Sequence, residues 1–306
     1  MEVLMKILVR PSWSPFVLSC QVPADVDSGQ ASTFKTLSRL STLFSQKPTV
    51  TLRSSFSAFH LPTFKSYSTL AAMEGPVANA STRLYYPLEA NAENHVANTM
   101  DAPVLLFIFA SGCAAILAAT YVIAKRTRPT ICHGGIAIAF WWVLCGFIHS
   151  FFEGYFAYNH SDIVRRSDLF AQLWKEYSLS DSRYMTRDAF TVCMETVTAM
   201  FWGPGSFFVA YAFLTDHPLR YPAQLVVSLG QLYGDVLYYA IYWYEESVNG
   251  TVYCRPERYY YWAYFVLCNA FWIVIPLAMI WQSVWAIGRV FEKSKQAADG
   301  SAKKLQ

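Results

Sequence analysis

A histidine and a carboxylate lie four residues apart within an apolar stretch of this sequence. The stretch reads CGFIHSFFEGYF, and the two residues are His149 and Glu153. Residues four apart share one face of an α-helix, one turn above the other. Ionisable groups in hydrocarbon cost free energy unless they face a protein interior. The pair therefore indicates either proton transfer in a buried cavity or a polar contact between two packed helices.

Three further apolar stretches carry polar groups at a similar depth. The sets are Thr191, Glu195, Thr198 and Trp202, then Gln224, Ser228, Gln231 and Asp235, and finally Asn269 and Trp272. Steps of three and four place each set on one helix face. Buried carboxylates are costly unless they are paired or protonated. We therefore predict a cavity for ligand binding or acid–base chemistry, and we interpret Asp235 as a structural residue that pairs with Arg or Tyr groups in the bundle.

The composition is that of a membrane protein. Of 306 residues, 54% are hydrophobic and only 15% are charged, whereas soluble domains carry about 25% charged residues. The net charge of +3 includes no basic stripe, which argues against nucleic-acid binding. Five apolar stretches are long enough to span a bilayer as helices. They cover residues 103–124, 134–158, 190–214, 223–244 and 260–286. We predict an all-α, polytopic bundle of five transmembrane helices over residues 100–290.

The two ends of the chain differ from this bundle. Residues 1–85 are rich in Ser and Thr and more basic than acidic, which predicts a disordered or transit-like leader. The alternative is translation from Met73, with the upstream residues a gene-model extension. Residues 291–306 form a basic tail that the positive-inside rule places in the cytosol. Lys303 and Lys304 match a dilysine signal for retrieval to the endoplasmic reticulum.

The longest polar segment between predicted spans covers residues 159–189. Phe170, Trp174 and Tyr177 recur there at helical spacing. This spacing predicts a short amphipathic helix on the membrane surface.

Other common chemistries find no support in the motifs. The sequence contains no glycine-rich phosphate loop, no nucleophile elbow and no HExxH pattern. A metal site at His149 and Glu153 is disfavoured because the predicted spans bring no second histidine to that depth, and stable zinc sites use three or four protein ligands.

Five segments, taken in order, resemble the emopamil-binding protein family of sterol isomerases, whose common domain is called EXPERA. They read CGFIHSFFEGYF, LWKEYSLSDSRY, FTVCMETVTAMFWGP, HPLRYPAQLVVSLGQLYGDVLYY and CNAFW. The resemblance runs from about Arg126 to Val290, and its segments are too long and too well ordered to match by chance. The predicted leader has no counterpart in it.

The resemblance implies a five-helix bundle of the endoplasmic reticulum membrane that encloses a sterol. It also implies the reaction, in which a ring double bond moves from position 8 to position 7 through a carbocation, without metal, nucleotide or redox cofactor. The family's catalytic motif residues fall on His149, Glu153, Glu195, Asn269 and Trp272. The residues that would bind substrate or order the site fall on Met194, Thr198, Asp181, Arg183 and Tyr184.

Motif and chemistry together give a hypothesis for the roles. His149 and Glu153 would deliver the proton, with Glu195 taking part in its transfer. Thr198 and Asn269 would position these groups by hydrogen bonds. Coupled acids share their protons, so the residues alone do not separate donor from acceptor.

An aromatic face should stabilise the cation. Trp272 offers such a π face, so cationic amphiphilic amines should bind as mimics of the intermediate. The main alternative is a non-catalytic sterol or lipid binder of the wider superfamily, which need not keep the complete acid set. A transporter would be expected to have internal repeats, and five spans do not divide into two halves. Small residues in the first span, Ala110 to Ala115, leave a homodimer open.

Overall fold

The computed structural model describes residues 84–87, 90, 92 and 94–304. The leader predicted over residues 1–85 lies almost wholly outside this part of the chain. Six helices carry the described fold, which contains no β-strand. They are α1 (Ala102–Thr127), α2 (His133–Asn159), α3 (Leu169–Tyr177), α4 (Ala189–Leu214), α5 (Arg220–Tyr244) and α6 (Cys268–Lys304). The predicted all-α class is confirmed for the described residues.

Four of these helices are long and apolar enough to cross a membrane. They are α1, α2, α4 and the helix Tyr260–Ser301, which contains most of α6. Each covers a predicted span and extends past it by a few residues at one or both ends. The longest extension is that of α6, which continues through the first part of the predicted basic tail.

Helix α5 occupies the fourth predicted span but is not among these four. Its 25 residues are long enough to cross, and its buried positions include Gln224, Ser228 and Gln231. Gln224 donates hydrogen bonds to Ser283 at 3.0 Å and to the Met279 carbonyl at 3.1 Å, which joins α5 to α6. The polar stripe therefore faces the protein, and it is this stripe that lowers the hydropathy of the helix.

Three of the π-helical segments contribute residues to the wall of one cavity, which is described below. They are Ile148–Glu153 in α2, Thr198–Trp202 in α4 and Tyr260–Leu267 before α6. In α4 the cause is Pro204, which lacks an N–H and whose ring crowds the carbonyl four residues earlier. A side chain at Gly203 would come within 2.8 Å of the backbone nitrogen of Ser150. The wide turns of α2 and α4 therefore meet at close range, which only glycine permits here.

Helix α3 is packed into the bundle. Trp174 stacks on Phe152 and on Tyr184 with ring centroids 4.6 Å apart in both cases, and its indole nitrogen donates to the Phe152 carbonyl at 3.0 Å. Its polar residues Gln172 and Lys175 are buried too, and hydrogen bonds to the segment before α1 compensate for their burial. Gln172 accepts from the Met100 N–H at 3.0 Å, and Lys175 donates to the Val96 carbonyl at 2.6 Å. The predicted helix exists and packs on the bundle, and its place on the membrane surface stays a prediction.

Candidate active site

A cavity of about 560 Å³ lies inside the bundle beneath α3. Its volume is in the usual range for sites that enclose a small organic molecule. Most of its wall is aliphatic or aromatic. The polar side chains on the wall are His149, Glu153, Glu176, Tyr177, Tyr184, Glu195, Thr198, Gln231, Asp235, Tyr238, Tyr264 and Asn269. The predicted meeting of four polar helix faces at one layer is therefore confirmed.

The histidine and the glutamate of α2 form the predicted contact. His149 Nδ1 lies 2.7 Å from Glu153 Oε2, and the His149 side chain is almost fully buried. Both residues belong to the π-helical segment of α2. The wider turn brings the pair to the cavity wall while keeping the two side chains in contact.

The other ring nitrogen of His149 receives two contacts. Gln231 Nε2 of α5 lies 2.9 Å from His149 Nε2, and the indole Nε1 of Trp272 lies 3.3 Å from the same atom. An indole nitrogen can only donate, so His149 Nε2 accepts. The proton of a neutral imidazole then sits on Nδ1 and points at Glu153. The spacing of polar residues predicts that Gln231 belongs to the polar stripe of α5, but it predicts no role for Gln231.

The glutamate of α4 continues this chain of contacts. Glu195 is buried, and its Oε1 accepts a hydrogen bond from the Tyr184 hydroxyl at 2.6 Å. Glu195 and Glu153 both line the cavity, and the two carboxyls are close enough to interact electrostatically. Two like charges so placed in a buried site are unfavourable unless one of the groups holds a proton. Tyr184, Glu195, Glu153 and His149 thus form one cluster of titratable groups at the cavity wall.

Tyr184 is held in place by the loop before α4. Burial, reinforced by the Glu195 carboxylate, raises the pKa of the Tyr184 phenol well above its ordinary value, so the phenol stays a donor. Behind it, Asp181 and Arg183 form a buried ion pair at 2.6 Å, and the Tyr238 hydroxyl donates to Asp181 at 2.6 Å. Tyr184 of this loop and Tyr238 of α5 reach the cavity wall. Asp181 and Arg183 lie behind the wall.

Thr198 and Asn269 line the cavity but bond elsewhere than expected. Thr198 Oγ1 donates to the Met194 carbonyl of its own helix at 2.9 Å. Asn269 Nδ2 donates to the Tyr177 hydroxyl at 3.0 Å and to the Phe265 carbonyl at 2.7 Å. The expectation that these two residues hold the acids by direct hydrogen bonds is therefore wrong. Tyr184 and Gln231 make contacts of that kind, and Asn269 instead ties α6 to α3.

Asp235 does not make the predicted pairing with Arg or Tyr groups. It lines the cavity, and its Oδ2 is shielded from solvent with no hydrogen-bond partner. The buried guanidinium of Arg183 forms its salt bridge with Asp181. Asp235 faces the cavity one helical turn from Gln231.

Comparison with known proteins places this arrangement in a family. Residues 169–283 match the EXPERA family (expanded EBP superfamily). The chain is 38% identical over 201 residues to the 3-beta-hydroxysteroid-Delta(8),Delta(7)-isomerase of Mus musculus, covering 65% of this chain and 86% of that protein. It is 31% identical over 212 residues to a probable isomerase of the same name from Oryza sativa, covering 69% of this chain and 94% of that protein.

Relatives with other printed names match as well. The chain is 35% identical over 159 residues to the protoglabretal synthase of Citrus sinensis, covering 51% of this chain and 73% of that protein. The matches to the mouse and rice proteins span most of their length. The chain belongs to the EXPERA family of membrane proteins related to the emopamil-binding protein.

Proposed function

We propose that the protein is a sterol isomerase that moves a ring double bond of a 3β-hydroxysteroid from position 8 to position 7. The observation that carries this proposal is the cluster of Tyr184, Glu195, Glu153 and His149 at the wall of an apolar cavity. The names of the mouse and rice relatives support the same reaction. An isomerisation of this kind transfers protons within one apolar substrate, and the site offers proton carriers in apolar surroundings.

The reaction balances without any co-reactant. The electron pair of the C8–C9 double bond takes a proton at C9, which leaves a cation at C8. Loss of a proton from C7 returns an electron pair and forms the C7–C8 double bond. One proton enters and one leaves, so the enzyme must hold one transferable proton and a second group able to receive one.

A proton held by Glu153 or Glu195 is the proposed donor. Donating it would leave two adjacent carboxylates until the substrate returns a proton to one of them. The pair therefore favours a fast second transfer, because two like charges this close raise the free energy of the doubly ionised state. His149, Glu153 and Glu195 are proposed to act as one unit whose protons belong to the group.

Trp272 is proposed to stabilise the cation. Its indole lies against His149, with ring centroids 5.9 Å apart, and packs on Trp141 at 5.5 Å. An aromatic face near a desolvated cation contributes about 2 kcal/mol or more. The same face should bind cationic amphiphilic amines, whose charge imitates the intermediate. Asn269, Met194 and Thr198 are proposed to shape the substrate cavity, and Asp181 and Arg183 to order Tyr184.

We propose that α5 is a fifth span and that the bundle resides in the endoplasmic reticulum membrane. Support for the span comes from the length of α5 and from its polar stripe, which faces the protein. Residue 95 and the end of α6 would then lie on opposite sides of the membrane. Two variants, each with one glycosylation acceptor near one of these positions, test this. Only one of the two variants should be glycosylated, and glycosylation of both would contradict five spans.

Residues 1–85 are proposed as a leader and residues 291–306 as a cytosolic tail. A homodimer through α1 stays a prediction that in-membrane crosslinking would test.

Sterol profiling tests the function directly. The full chain would be expressed in cells that lack their own sterol isomerase, and their sterols would be extracted. We expect loss of the accumulated 8-unsaturated sterol and gain of the 7-unsaturated product. An unchanged profile, from protein that reaches the membrane and binds an amphiphilic amine, would contradict the isomerase and favour a non-catalytic sterol binder.

A further inference from the structure

One carboxyl group on the cavity wall has no hydrogen-bond donor. Glu153 contacts His149, Glu195 accepts from Tyr184, and Glu176 accepts from the Tyr264 hydroxyl at 3.3 Å. Asp235 Oδ2 is shielded from solvent, yet no side chain or backbone group of the described residues donates to it. Nearly all buried polar atoms in proteins have a partner, so an atom without one at a cavity wall indicates a donor supplied by a ligand.

The position of Asp235 fixes where such a donor would be. Gln231, which contacts His149 at 2.9 Å, precedes Asp235 by four residues on α5. One helical turn advances about 5.4 Å, so the Asp235 carboxyl sits about that far along the cavity from the level of His149. The wall beside it is open, because a side-chain carbon added at Gly234 would meet nothing within 4 Å. The cavity therefore has room for a ligand next to this carboxyl.

We propose that Asp235 is the polar anchor of the cavity and accepts a hydrogen bond from the 3β-hydroxyl of a hydroxysteroid. The identity of the ligand rests on the proposed function. In such a sterol the hydroxyl and the reacting double bond lie on neighbouring fused rings. An anchor one helical turn from the acid group suits that separation, and it fixes which ring carbon faces Glu153 and Glu195.

A hydroxyl suits this position better than a charged group. A single unpartnered oxygen needs one donor, and a hydroxyl supplies one without bringing a charge into the apolar cavity. The rest of a sterol is hydrocarbon, which matches the remaining wall, including Leu105, Phe109 and Leu267. An unpaired buried acceptor costs free energy, so the one hydrogen bond that satisfies it can orient the whole ligand.

A cycle of two substrates and three proteins tests the anchor. The kcat/KM would be measured for an 8-unsaturated 3β-hydroxysterol and for its 3-deoxy analogue, with the wild type, Asp235→Leu and Asp235→Asn. The wild type should prefer the hydroxylated sterol by roughly 5- to 100-fold, the usual cost of leaving a buried acceptor without a donor. Asp235→Leu should abolish this preference, mainly through KM. Asp235→Asn should keep most of it, because the amide oxygen still accepts.

Glu176→Gln is the matched control. Glu176 lies on the same cavity wall but already has Tyr264 as a partner, so its substitution should change kcat/KM for both sterols by the same factor. An Asp235→Leu protein that folds and keeps the full preference for the hydroxylated sterol would overturn the proposal. So would a preference that Glu176→Gln alone removes.

A binding measurement separates this proposal from the proposed function. Trp174, Trp202 and Trp272 line the cavity, so their fluorescence should change when a sterol enters. If the wild type converts neither sterol, the isomerase proposal fails, but the ratio of the two affinities still tests the anchor. Tighter binding of the hydroxylated sterol that Asp235→Leu removes would support the anchor, and equal binding of both sterols by the wild type would overturn it.

Discussion

Two buried acidic groups lie close together along this chain and differ in their neighbours. Asp181 is paired with Arg183 at 2.6 Å, accepts from Tyr238 at 2.6 Å and is wholly buried behind the cavity wall. Glu195 lies on the cavity wall, beside a second carboxyl and a phenol. The first arrangement pairs a buried carboxyl with a counter-ion, whereas the second surrounds it with groups that carry exchangeable protons. Position relative to the cavity and the sign of the neighbours decide which acid can do chemistry.

The largest expected effect is on turnover at the cavity acid. Glu195→Gln keeps the shape of the side chain and the acceptor for Tyr184 but cannot exchange a proton with Glu153. We expect kcat to fall by about 100-fold or more, the usual contribution of a general acid or base. Isomerisation of a labelled sterol by purified protein measures it, with amine binding as the control for an intact cavity. Normal turnover by a folded variant would remove Glu195 from the mechanism.

The second effect is on stability at the ion pair. Asp181→Asn should lower the free energy of unfolding by about 3–5 kcal/mol, because it leaves the buried Arg183 guanidinium without its counter-ion. The exposed pair of Asp216 and Arg128, 2.9 Å apart, is the matched control, and Asp216→Asn should cost less than about 1 kcal/mol. Thermal unfolding followed by size-exclusion chromatography compares them. Equal free energies of unfolding for the two variants would mean that the buried ion pair contributes no more to stability than the exposed pair.

The helices and the residues of the acid group could largely be predicted from the sequence, because both depend on local spacing. Hydropathy located α1, α2, α4 and α6, and the four-residue step located the contact of His149 with Glu153. Partners on other helices could not be predicted. The role of Gln231 depends on the packing of α5 against α2, and the burial of α3 depends on the segment before α1, which supplies acceptors and donors to Lys175 and Gln172. The lack of a hydrogen-bond partner for Asp235 Oδ2 among the described residues likewise depends on how the helices pack.

A smaller effect concerns the aromatic wall. Trp272→Ala removes both the π face and the indole N–H that donates to His149 at 3.3 Å. We expect a cationic amphiphilic amine to bind about 5- to 30-fold more weakly, equivalent to about 1–2 kcal/mol. Trp272→Phe should restore most of the affinity because it keeps a π face without the donor. Equal affinities of wild type and Trp272→Ala, measured by displacement of a labelled amine, would show that the cation binds elsewhere.

The smallest effect separates position from proton transfer within the acid group. Gln231 holds His149 Nε2 but carries no transferable proton of its own, so Gln231→Leu should lower kcat only about 2- to 10-fold, the value of one ordinary hydrogen bond.

Gln231→Glu places a carboxylate that can only accept, which favours a proton on Nε2 and thus the imidazolium form of His149. The activity that depends on neutral His149 should then appear at higher pH than in the wild type, whereas Gln231→Leu should leave the pH profile closer to its original place. Superimposable pH profiles for wild type and Gln231→Glu would mean that the charge of His149 does not limit turnover, and the moving proton would then have to be assigned to Glu153 and Glu195 alone.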